Sequence, residues 1–140
     1  MELIPIVLLN ILKFCIKIGL VNVNARPFKN SNDLIHNCTL LHFAACCGCD
    51  NVVKMLLENG TDVNAINGMN ETPLQFSVEN NEEDDEEIFL EIVKILCKNG
   101  ADVNAKNDQD CSPVEIALQH GDYRLLHHLI PYKASIPIWG

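Results

Sequence analysis

Cys46, Cys47 and Cys49 crowd into the stretch "CCGC", and Cys38, His36 and His42 stand a short way upstream. Thiolates and imidazoles are the ligands that zinc prefers, but small zinc sites set one close chelating pair against a second one. No second pair exists here. Adjacent Cys46 and Cys47 also point in different directions on any regular element, so reduced thiols are expected and no metal. A thiol or metal sensor built on the Cys38–Cys49 cluster is the alternative from a different functional class. Nucleophilic catalysis needs a nucleophile, a base and a third group that orients the base. No such set stands outside the pattern described next, so no catalytic residue, no cofactor and no enzymatic activity are expected.

Composition narrows the partners. The chain has 140 residues, nearly half of them apolar, and a formal net charge of −9. It is most simply one domain, long enough to bury a core. Its negative charge repels phosphate, which disfavours nucleic acid and favours a protein partner with a basic surface. The seven cysteines are odd in number and lack framework spacing, which fits reduced thiols in the cytoplasm or nucleus. At the N-terminus, "LIPIVLLNILKFCIKIGL" is apolar enough to raise a signal peptide or a membrane span. Yet Asn10, Lys13 and Lys17 recur at helical spacing as one polar stripe, and lysines are costly in a bilayer. A packing helix is therefore expected, and no membrane.

The elements that carry these side chains repeat. "MLLENGTDVNA", from Met55, is echoed by "ILCKNGADVNA", from Ile95. Upstream of each lies a second echo, "TLLHFAACC" from Thr39 and "TPLQFSVEN" from Thr72, and "SPVEIALQH" from Ser112 opens a third. Thr39, Thr72 and Ser112 suit helix N-caps, and Pro73 and Pro113 suit the first helical position. Leu41, Ala44 and Ala45 predict a slim first helix. Val52, Val53, Leu56 and Leu57 predict the buried stripe of a second, repeated by Ile92, Val93, Leu96 and Cys97 and by Leu125, Leu126, Leu129 and Ile130. Gly60 and Gly100 follow that helix, where a left-handed residue ends it.

Signature, period and "NGADVNA" together resemble the ankyrin repeat family, whose unit of 33 residues opens its first helix with T-P-L-H-x-A. The resemblance spans residues 38–130 and extends more weakly back to Ile11. It implies an all-α solenoid of helix-turn-helix units joined by hairpin-like loops, forming one repeat domain over residues 1–140. The units read as a degenerate N-terminal half unit at 1–25, a repeat at 26–65, a repeat at 66–105, a C-terminal capping unit at 106–130 and a tail at 131–140. Thr39 and Thr72 are 33 apart, but the outer-helix echoes are 40 apart. The difference is an acidic insert within residues 81–91, "NEEDDEEIFLE", between the two helices, expected as a solvated acidic extension of the outer helix, with a partner-contacting acidic knob as the alternative.

The resemblance further implies a non-enzymatic protein-binding module that uses hairpin tips and the concave inner-helix face. The variable positions of that surface fall on His36, Cys38, Cys46 and Cys47, on Met69, Glu71, Glu79 and Asn80, and on Asp108, Gln109, Cys111, Gln119 and His120. His42, with Gln75 and Glu115 in its place later, would bond neighbouring hairpin backbone. Asn64 and Asn104 sit in the Leu-x5-Asp-Val-Asn pattern of ankyrin repeats hydroxylated on asparagine. A viral or parasite mimic of the inhibitors of NF-kappaB-type factors is a narrower form of the same function. A monomer is expected, with the N-terminal helix as the place where self-association would occur.

Overall fold

A computed structural model describes residues 10, 11, 14–17, 19, 20, 22–26, 37–79 and 86–133. His36, Asn80, the start of the acidic insert, the apolar residues before Asn10 and Trp139 lie outside the described residues. After helical residues 10–11 and 14–17, six helices follow in inner–outer pairs. They are α1 (Leu40–Cys46) with α2 (Asp50–Glu58), α3 (Pro73–Glu79) with α4 (Glu86–Lys98), and α5 (Pro113–Gln119) with α6 (Arg124–Leu129). Inner helices stack on inner and outer on outer, and no strand forms among the described residues.

Each inner helix starts where its hydroxyl stands. Thr39 Oγ1 accepts the His42 amide while His42 Nδ1 accepts the Thr39 amide, and Ser112 with Glu115 forms the same reciprocal box. Thr72 and Gln75 exchange the equivalent bonds at 3.0 and 3.3 Å. Such boxes satisfy amides that the first turn leaves without partners. The outer helices α2 and α4 end at Gly60 and Gly100, whose φ values of +88° and +91° turn the chain left-handed. The amide of the next residue then closes on Leu56 or Leu96 at 3.1 and 3.0 Å.

A main core runs along the stack, with a smaller cluster of Cys38, Cys46 and Phe76 beside it. Leu41, Val53, Leu56, Leu74, Ile92, Leu96, Val114, Leu125 and Leu129 are fully buried within the main core. Full burial of a residue of this kind is worth about 1.5–3 kcal/mol, so the apolar stripes hold the stack together. Met55 and Ile95 are buried too, although they fall outside the stripe read from the sequence.

Two expectations need correction. Helix α4 begins at Glu86 and has 13 residues against 9 in α2, so the later part of the insert extends the outer helix, but it is not simply solvated. Its Phe89 is only 4% exposed and Ile88 and Leu90 pack on the core, so this part belongs to the stack. Glu86 and Glu87 occupy the first turn, where carboxylates interact well with the helix N-terminus. At the other end, α6 stops at Leu129 and a 3-10 turn, Ile130–Tyr132, carries the chain through Pro131. Ile130, expected in the buried stripe, is 48% exposed.

Candidate functional site

The hairpin between outer and inner helices is built twice in the same way. Asn67 Oδ1 accepts the amides of Met69 and Glu71 at 2.9 and 3.0 Å. Asn107 Oδ1 accepts those of Gln109 and Cys111, both at 3.0 Å. The fourth residue of each tip, Asn70 or Asp110, is left-handed at φ 58° or 60°, as is Asn37 at 63°. Asparagine and aspartate tolerate that conformation because their side chains bond locally. The two tips are joined directly, since the Asp108 amide donates to Met69 O at 3.1 Å.

Beneath the tips, the first two inner helices each reach into the following hairpin. His42 Nε2 donates to Glu71 O at 2.8 Å. Gln75 Nε2 donates to Ala105 O at 2.6 Å and to Cys111 O at 3.1 Å. The imidazole has one N–H when neutral, so accepting the Thr39 amide at Nδ1 fixes the proton on Nε2. Burial disfavours a second proton and lowers the His42 pKa to about 4, with the nearby Arg26 charge acting in the same direction. His42 is a fully buried structural base and has no open face for substrate.

A second line of bonds runs between the Asp-Val-Asn segments. Asn24 Oδ1 accepts the Asp62 amide at 3.0 Å, and Asn64 Oδ1 accepts the Asp102 amide at 2.8 Å. Asn64 Nδ2 also donates to Gly100 O at 3.0 Å, and Asn104 Nδ2 to Lys133 O at 3.1 Å. Arg26 Nη1 clasps Asn37 O and Ile66 O at 2.6 and 2.7 Å. None of these inter-unit partners was identified from the sequence. The shared spacing of Asn67 with Asn107, and of Asn70 with Asp110, was the available signal for the tip geometry.

The surface residues expected from the sequence divide by depth. Cys47, Glu79, Asp108, Gln109, Gln119 and His120 are exposed, and Met69 and Cys111 are half-buried. Cys38, Cys46 and Glu71 are buried at 0%, 7% and 3% exposure, so they cannot meet a partner's surface. The reason is local: the residue after the left-handed tip position turns inward, which places Cys38 and Glu71 under their hairpins. Asn67 Nδ2 lies 3.5 Å from Cys38 Sγ and donates to Glu71 Oε1 at 3.1 Å. Burial raises the pKa of both the Cys38 thiol and the Glu71 carboxyl.

The exposed residues come together in small groups. Gln119 Nε2 donates to Cys111 Sγ at 3.6 Å, and Cys111 Sγ in turn faces Gln109 O at 3.5 Å. Glu79 and His120 approach to 3.8 Å at the ends of α3 and α5. They line a cleft of about 450 Å³ floored by Val78, Phe89 and Ala117, with Asp122, Tyr123 and Arg124 on its wall. Arg124 pairs with Glu86 at the start of α4.

No three of the described histidine, cysteine and acidic residues gather as a metal set, and no disulfide joins the described cysteines. The Cys97 thiol is pushed up to about 11 by burial. Among the described residues no helix is long and apolar enough to cross a membrane.

A family model described as "Ankyrin repeat" matches residues 36–68 and 69–108, and one described as "Ankyrin repeats (many copies)" matches residues 90–130. No curated protein matches the chain.

Proposed function

The chain belongs to the ankyrin repeat family, and from that premise we propose that it binds a basic protein surface through its hairpin tips and inner-helix ends. Ankyrin repeats are generally protein–protein interaction modules and generally non-enzymatic. The observation that carries the finer reading is the pair of equivalent tips, braced from below and joined at Asp108 and Met69. Their backbone amides are spent on Asn67 and Asn107, which leaves side chains such as Asp108 and Gln109 to meet a partner. A surface held in place before contact loses little conformational entropy on binding.

Its charge selects the partner. Glu79, Asp108 and Asp110 are exposed on this surface, and Lys106 stands 3.8 Å from Asp110. Carboxylates in excess steer a cationic surface towards the tips and accelerate its association at low salt. Cys47 adds an exposed thiol to the same face. Cytoplasm or nucleus is the compartment proposed, because reduced thiols persist there.

The test is affinity purification with the wild-type chain and with a Glu79→Lys/Asp108→Lys/Gln109→Ala variant. A protein retained by the first and lost by the second supports the reading. Retention unchanged in the folded variant refutes this surface. Hydroxylation of Asn64 or Asn104 is a second, separable proposal. Both side chains donate to a later segment at exposed sites, Asn64 to Gly100 O and Asn104 to Lys133 O, so an enzyme would have to displace these bonds. Intact-mass measurement of protein from cells decides it.

A further inference from the structure

The insert changes what the outer helix of its unit offers. Counted back from the glycine that ends each helix, Phe89 and Cys49 hold one position, eleven residues before Gly100 and Gly60. Cys49 is only the N-cap of α2, whereas α4 has already made a turn from Glu86 when it reaches Phe89. That extra turn builds part of the cleft between the second and third units. Phe89 is buried at its floor with Val78 and Ala117, and Glu86 pairs with Arg124 on its wall. The cleft stands at the far ends of α3 and α5, about 10 Å along each inner helix from its first turn.

Its charges do not cancel. Arg124 is committed to Glu86, and its amide donates to Asp122 Oδ1 at 3.3 Å. His120 lies 3.8 Å from Glu79, beyond hydrogen-bond range, and offsets that carboxylate only when protonated. Glu79 and Asp122 therefore leave the cleft negative above an apolar floor. Tyr123, 66% exposed, adds an aromatic surface beside them. At about 450 Å³ the cleft is of a size that small-ligand sites share, with room for one long side chain.

We propose that this cleft takes an arginine side chain of the partner protein, its methylenes on Val78, Phe89 and Ala117 and its guanidinium towards Glu79 and Asp122. The proposal rests on the reading above that a basic protein surface binds the chain, and it names the residue type and the place where that surface enters. Long cationic side chains lay their stems on apolar surface while the charged head meets a polar rim. Arginine suits the cleft better than lysine. Its planar fork can donate to two carboxylates, stacks on an aromatic face and is more weakly hydrated. The insert then has a role, which is to lengthen α4 until Phe89 and Glu86 complete the cleft.

Amide chemical shifts of the isotope-labelled chain, followed as blocked amino acids are added, test this. N-acetyl-arginine amide is expected to shift Val78, Glu79, Gly121 and Asp122, with a Kd of about 1 mM for a ligand of about fifteen non-hydrogen atoms. The lysine amide is expected to bind more weakly, and the norleucine amide to leave these signals unmoved. Glu79→Gln/Asp122→Asn keeps an oxygen for the Arg124 amide and is expected to weaken the arginine probe about fivefold or more. The variant's own spectrum away from the cleft shows whether it is folded, and Glu79→Gln alone replaces it if it is not. Absent shifts, equal shifts with the lysine or norleucine amide, or undiminished binding by the folded variant overturn the proposal. Free arginine binding more tightly than the blocked residue also overturns it, since the site would then serve the amino acid. A partner lost on changing Asp108 and Gln109 but kept by Glu79→Gln/Asp122→Asn overturns the cleft and leaves the reading above standing. Arginine amide binding in a chain that retains no basic protein upholds the cleft's preference and contradicts that reading.

Discussion

His42 and Gln75 hold the same place in consecutive units and face the same kind of target, yet they make different joints. The single N–H of His42 is spent on Glu71 O, while the amide of Gln75 reaches both Ala105 O and Cys111 O. At the first joint, Arg26 reaches the neighbouring Ile66 O instead. Glu115, third in the series, has no proton to donate when ionised and bonds only within its own capping box. Donor capacity at this position thus follows the number of hairpin carbonyls offered to it. The difference also makes one joint titratable and leaves the other indifferent to acid.

The comparison breaks most sharply at Gln75. Gln75→Leu keeps the volume but leaves the Ala105 carbonyl and the Thr72 amide without these partners, while Cys111 O keeps the Asn107 amide. Unsatisfied buried groups cost about 1–3 kcal/mol each, so a loss of about 4 kcal/mol is expected in urea unfolding. A loss below about 1 kcal/mol would show that these bonds do not hold the joint.

Acid separates the joints next. The folded pKa of His42, about 4, lies below its ordinary 6.5. The unfolded chain therefore binds the proton more readily, and this share of stability is complete above 6.5 and lost as pH falls towards 4. The full interval is worth about 3 kcal/mol. Glu71 acts with the opposite sign: its raised pKa means that the folded chain holds that proton more tightly, so acid favours the fold there. His42→Gln keeps Glu71 and supplies the amide that Gln75 uses, so at pH 7 it is expected to stay within about 1 kcal/mol of wild type. Urea midpoints from pH 7 to 4 should then fall more steeply for wild type than for the variant. Parallel profiles would contradict the role given to His42.

The N-caps, helix-ending glycines and much of the apolar stripe were legible in the sequence because each follows from a local rule. Depth was harder to read. Cys38 and Glu71 stand one residue from exposed or left-handed tip positions, and only the hairpin's inward turn buries them. The insert misled for a similar reason, since its charge reads as solvated while Phe89 within it packs on the core. Met55 and Ile95 lie beside the stripe and are nonetheless buried in the core, which a single helix's periodicity does not encode.

Smaller effects sharpen the comparison further. Arg26→Met should cost about 1 kcal/mol through the loss of two carbonyl bonds at a partly exposed site. Its cost should shrink little in salt, because both acceptors are neutral. Lys133→Gly relieves a left-handed residue at the place held elsewhere by Gly60 and Gly100, at some cost in chain entropy. A net gain of about 0.5 kcal/mol is expected in thermal unfolding.

Amide hydrogen exchange of the chain, alone and with the protein retained by its wild-type surface, tests the binding account most directly. Slowed exchange is expected around residues 68–70 and 106–110 and at the ends of α3 and α5, with the effect weakening in salt. Protection confined to the outer faces of α2 and α4, around Lys54, Glu58, Glu91 and Lys98, would contradict it.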